Sequence, residues 1–138
     1  MSRLTRSRVP TQVYVEVAQT TPAQNTWYTT LDGKNICLLG VAMLIATTGE
    51  TLESKVTIDG TTYTAIAGVA VNAAEHTQIT FIRNGTTLNH AASAANWDLN
   101  TEISRGNYLF GKAIKVEFRK TTAAGTGTLT CKILYHQY

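Results

Sequence analysis

"ESKVTIDGTTYTAI", residues 53–66, decides the fold class. Asp59-Gly60 is a pair that accepts positive φ at both positions, the mark of a two-residue hairpin turn. Folding the chain about it sets Ile58 opposite Thr61 and Val56 opposite Tyr63, so that Val56, Ile58 and Tyr63 share one face. A half-buried antiparallel pair requires such a register, because a slip of one residue turns every apolar side chain to water.

The same reading extends outward. "TQITFIRNGTTLNH", residues 77–90, carries Asn84-Gly85 as its turn, which sets Arg83 opposite Thr86 and Phe81 opposite Leu88. Further on, Ile114, Val116 and Phe118 alternate with Lys115, Glu117 and Arg119. After "TTAAGTGT", read as a hairpin loop, Leu129, Cys131, Ile133 and Tyr135 alternate with Thr130, Lys132 and His136. Toward the N-terminus Val13, Val15 and Val17 alternate with Tyr14 and Glu16. Each pattern has the period of a strand with one apolar face. "WYTTL", residues 27–31, is a short strand closed by a turn at Asp32-Gly33. "ICLLGVAMLIA", residues 36–46, has helix formers in Ala42, Met43 and Leu44. Gly40 inside it and "TTGE" after it favour a central buried strand. Residues 91–104 read as a long loop in which Trp97 anchors on the sheet edge.

About eight short strands with regularly spaced turns predict an all-β fold, an antiparallel β-sandwich or jelly-roll-like barrel. Residues 12–138 form its single domain, and residues 1–11 form a basic, extended N-terminal arm.

Composition agrees. Charged residues make up only 15% of the chain, and threonine, a β-branched residue suited to a pleated surface, about one residue in six. Arg3, Arg6 and Arg8 carry the whole net charge of +3; without them nine basic residues face nine acidic ones. From Arg105 onward six basic residues meet one acid, Glu117, which leaves the middle acidic. Such opposed regions suit contact with copies of the chain or with a charged partner. No apolar stretch follows the N-terminal arginines as a secretion signal requires, and the 36–46 run is too short for a membrane helix, so a soluble protein is expected.

Catalytic and metal constellations are weak. His76, His90 and His136 fall in separate segments without ligand spacing. Cys37 and Cys131 sit in apolar strands and read as buried free thiols. Asp98 and Glu102 near Trp97 give the one carbohydrate-like grouping, more simply read as a solvated loop. "AAGTGTL" leads into a strand and lacks a phosphate-binding lysine. Three arginines without interleaved aromatics make direct nucleic-acid binding an unfavoured role for the arm; ordering against a neighbouring subunit is preferred.

"VTIDGTTYT" (56–64), "FIRNGTTL" (81–88) and "VEFRKTTAAGTGTLTCKILYHQY" (116–138) resemble, in style, the virion structural proteins of tailed bacteriophages, head decoration (cement) proteins in particular. The resemblance implies a protein without catalysis or cofactor, made in the host cytoplasm and placed on the capsid surface. It implies the major capsid protein as partner, a homo-oligomer with a trimer favoured, and no membrane. Arg3, Arg6, Arg8 and Pro10 of the arm would then be partner-binding, with Tyr14, Trp27, Tyr28 and Trp97 as candidate interface aromatics. Two other roles stay open: a tail or head-fibre module that binds a host glycan, and a minor or major capsid protein with an inward basic arm.

Overall fold

The computed structural model describes residues 10–45, 50–70, 76–78, 83–84, 87–88, 108–122 and 127–138, with backbone alone for those between 65 and 88. These residues form nine strands: β1 (Thr11–Gln19), β2 (Tyr28–Ile45), β3 (Thr51–Ile58), β4 (Thr61–Ala70), β5 (His76–Gln78), β6 (Arg83–Asn84), β7 (Thr87–Leu88), β8 (Leu109–Lys120) and β9 (Leu129–Gln137). They lie on one hydrogen-bonded path, β1-β9-β2-β8-β3-β4-β7-β6, with β5 on β2. The long strands pair antiparallel; β4 and β7 meet in a single parallel pair. The all-β antiparallel class is as expected. Because the strands form one path, curvature of that sheet, not a second sheet, would have to close a jelly roll.

The 53–66 hairpin has the expected register, Ile58 on Thr61 and Val56 on Tyr63. Asp59 and Gly60 turn with φ of 49° and 90°. The second hairpin differs: Arg83 pairs with Leu88 and Asn84 with Thr87, leaving Gly85-Thr86 between them. A glycine-first pair is the other sequence signature of a two-residue loop, and it competes with Asn-Gly in this stretch.

Residues 36–45 are strand, buried without a break from Ile36 to Met43. That strand joins the two expected separately at 27–31 and 36–46 into one of 18 residues, because Asp32-Gly33 does not turn. Asp32 pairs with Lys115 and Gly33 with Ile114 in the middle of a ladder. With 18 residues, β2 pairs β8 along its first half and β9 along its second. β8 and β9 therefore flank β2 and are not the two arms of a hairpin, which corrects the reading of "TTAAGTGT" as a hairpin loop.

β2 and β8 bend together. Leu31 and Ile36 both join the main core, as do Leu109 and Ile114. Residues five apart on a regular strand point to opposite faces, so each strand changes face between them. In β2 the change includes Asn35, at a φ of 54°. The two segments, Gly33-Lys34-Asn35-Ile36 and Gly111-Lys112-Ala113-Ile114, lie against each other head to tail, Gly33 on Ile114 and Ile36 on Gly111. In each, the isoleucine folds back over its own glycine: a Cβ on Gly33 would lie 2.7 Å from Ile36 Cδ1, and one on Gly111 2.7 Å from Ile114 Cγ1. A bulge and a strand glycine that admits a close neighbour are the usual means of turning a sheet corner.

The hairpin tip is latched onto this corner. The Asp59 N–H donates to the Ala113 carbonyl at 2.9 Å, and the Ala113 N–H donates to Asp59 Oδ1 at 2.9 Å. Asp59→Ala should remove the carboxylate acceptor of the Ala113 N–H while keeping the backbone half of the latch, at a cost of about 1–2 kcal/mol by denaturant unfolding. Asp59→Asn, which keeps the acceptor and tolerates the positive φ, should cost less.

The main core gathers side chains of β2, β3, β4, β8 and β9, with Val13, Val15 and Val17 of β1 packed against it. A smaller cluster, Cys37, Leu39, Ala42 and Leu134 with Tyr14, lies on the opposite face of the sheet.

Candidate interaction surface

Three large aromatics stand exposed at the end of the sheet where β1 begins: Tyr108 (55%), Phe110 (49%) and Tyr138 (42%). Phe110 reaches this face because β8 has not yet changed sides: it pairs with Cys37, whose side chain belongs to the smaller cluster. Its ring meets Tyr138 edge to face, centroids 5.7 Å apart. Tyr138 is held from below, its N–H donating to the Asn35 carbonyl at 3.0 Å. The Gln137 amide donates to the Lys34 carbonyl at 2.7 Å. Together with Asn35, Cys37, Leu39 and His136 the three rings line a hollow of about 790 Å³. Aromatic rings around an apolar floor, with a few polar groups at the margin, make a surface suited to burial against another molecule.

Of the aromatics expected at an interface, the three among the described residues are absent from this hollow's lining. Tyr14 packs on the smaller cluster and its hydroxyl donates to Glu16 Oε2 at 3.1 Å. Tyr28 packs into the main core against Phe118, ring centroids 5.8 Å apart, and its hydroxyl accepts the Ala23 N–H at 2.9 Å. Trp27 carries two cations on its ring, Lys55 Nζ at 4.2 Å and Arg119 Cζ at 4.3 Å. These belong to a cross-strand ladder in which Glu53 pairs with Arg119 at 3.1 Å, and Lys55 and Lys115 each reach Glu117 at 3.7 Å. Several of the late basic residues are thus matched to acids of β3 and β8. Half-buried Pro10 precedes β1 directly. Arg3, Arg6, Arg8, Trp97 and Asp98 lie outside the described residues.

Tyr108, Phe110 and Tyr138 escaped sequence reasoning. The available signal was Tyr108 and Phe110 two apart, flanking Leu109, on the opposite face from the core side chain. A second missed feature is buried: Lys120 and Glu50, each 2% exposed, with Nζ and Oε1 4.0 Å apart. The Thr122 hydroxyl donates to the second oxygen of Glu50.

Both cysteines are free and buried, as expected, and they sit on opposite faces of the sheet. Burial pushes the Cys131 thiol up to about 12, against an opposing pull from the Thr30 hydroxyl; burial raises Cys37 as well. Reaction needs the thiolate, so Cys131 should resist alkylation at pH 8 and take its label only on unfolding, while Cys37, which lines the hollow, should label sooner, read by mass. The unfolded thiol loses its proton first, so the Cys131 contribution to stability falls as pH rises from about 9 toward 12. Among the described residues no group of three or more His, Cys, Asp or Glu could hold a metal ion. No helix among them is long and apolar enough to cross a membrane.

Fold and surface together define an all-β chain with a cluster of exposed aromatics around one hollow. No family model matches the sequence, and no curated protein matches it. Among solved structures it is similar to a chain of infectious bursal disease virus Gx strain, with 13% identity and a TM-score of 0.41; the match covers 94% of this chain and 38% of that one. It is also similar to a chain of the cyanophage Pam1 capsid asymmetric unit, with 19% identity and a TM-score of 0.34, covering 99% of this chain and 94% of that one. At this level of similarity neither match bears on what the chain does.

Proposed function

We propose that this chain is a non-enzymatic virion structural protein that binds the outer capsid lattice and stabilises it, working as a homo-oligomer. The observation that carries the reading is the exposed Tyr108, Phe110 and Tyr138 gathered around one hollow of an all-β domain. Apolar surface concentrated in this way is characteristic of a protein–protein contact. The sequence resemblance to phage head decoration proteins supports the choice of partner, the major capsid protein, and of a sandwich or jelly-roll closure for the sheet. Clamping neighbouring capsomers would add buried area at each junction and favour the assembled shell by mass action.

The test is cosedimentation with emptied, expanded phage shells, alongside the mass of the free protein by light scattering. Saturable binding that raises the shell's disruption temperature supports the reading. Closed particles formed by the chain alone would make it a coat protein. Asn35 and His136 beside the rings favour one second reading, a glycan platform; retention on a host polysaccharide in place of shells would establish it.

A further inference from the structure

We propose that the aromatic hollow is the seat for residues 1–9 of a second copy of this chain. The inference rests on the reading of this end of the domain as an assembly surface, and it names the occupant.

Position comes first. β1 starts where Thr11 pairs with Gln137 and Gln12 with His136, so Pro10 leaves the sheet at the end where His136 and Tyr138 line the hollow. Chemistry comes second. The segment "MSRLTRSRV" carries Arg3, Arg6 and Arg8, with Leu4 between the first two and Val9 after the last. Guanidinium groups stack on aromatic faces, and Tyr108, Phe110 and Tyr138 offer three exposed rings. Among the described residues the hollow's lining has no acidic, lysine or arginine side chain, so arginine meets rings and the aliphatic side chains meet Cys37 and Leu39.

Reach permits a second copy, and direction favours it over the parent domain. Nine extended residues span about 30 Å, against a radius of gyration of about 14 Å for a domain this size. Returning to its own hollow would require the segment to turn back across β9, and residues 1–9 contain no Gly, Asn, Asp or Pro, with only Ser2 and Ser7 among the residues that favour turns. One copy's segment in the next copy's hollow is a head-to-tail contact, which closes into a ring when the rotation permits.

The test compares the full chain, a chain lacking residues 1–9, and Phe110→Asp by analytical ultracentrifugation, with far-UV circular dichroism as the check on folding. The full chain should self-associate, and each variant should weaken association about tenfold or more. Mixing the two variants should restore a pair, because one retains the hollow and the other the segment. Unchanged association in either folded variant overturns the proposal. So does a monomeric full chain whose hollow binds a fluorescent apolar dye only after residues 1–9 are removed, which would assign the hollow to the parent copy's own segment. Shell binding is scored separately: arm-dependent association without it sinks the virion reading alone, and shell binding with arm-independent association sinks this inference alone.

Discussion

Lys120→Met should lower the unfolding free energy by about 3–5 kcal/mol, the usual cost of removing one partner from a buried ion pair. Lys120 and Glu50 are each 2% exposed. Loss of the ammonium leaves the Glu50 carboxylate with the Thr122 hydroxyl but without its cation. Thr122 is itself fixed in place, accepting the Thr51 N–H at 3.3 Å, while the Thr121 N–H donates to the Thr51 carbonyl at 2.9 Å. The damage should therefore spread to the start of β3. A double variant with Glu50→Gln should lose much less than the sum of the two single changes, since an amide can be buried without a counter-charge. Urea unfolding of the four proteins measures this coupling, and additive losses would show that the two groups do not depend on each other.

The second large effect is expected at Gly111. A Cβ there would lie 2.7 Å from Ile114 Cγ1 and 2.9 Å from Ile58 Cγ2, both buried branched side chains with little room to move. Gly111→Ala should cost about 1–3 kcal/mol, and Gly111→Val more, as an overpacked core does. The matching change at Gly33 should be milder, because its one close neighbour is Ile36 Cδ1, the free end of a flexible side chain. Equal losses at the two glycines would mean that the bend tolerates no local adjustment in either strand.

What could be read from the sequence follows from which signals are local. The Asp59-Gly60 hairpin was legible because turn and register lie within a few residues. The inward sets of β8 and β9 were legible because period-2 alternation needs no partner. Lys120 was open to the same reasoning: it continues the parity of Ile114, Val116 and Phe118, and counting it only as part of a basic C-terminal third set that parity aside. Asp32-Gly33 misled because a turn pair and a bend within a long strand draw on the same residues. Only the facing Gly111 segment distinguishes them, and it lies 78 positions later. The aromatic surface was hidden for a similar reason, since Phe110, His136 and Tyr138 are brought together by a pairing order that no single stretch encodes.

That pairing order also governs how the chain must reach its native state. Among the long strands only β3 and β4 form a local pair; β1 waits for β9, and β2 waits for both β8 and β9. On the ribosome, the apolar stretch from Ile36 to Ile45 emerges roughly 35 residues before the short β5, about 70 before the facing end of β8 and more than 80 before β9. Topologies dominated by such distant contacts fold slowly, and their unpaired strands are prone to join other chains in the meantime. The burial of β2 in the finished sheet thus means that a nascent chain carries its most apolar strand without its long neighbours until synthesis is nearly complete.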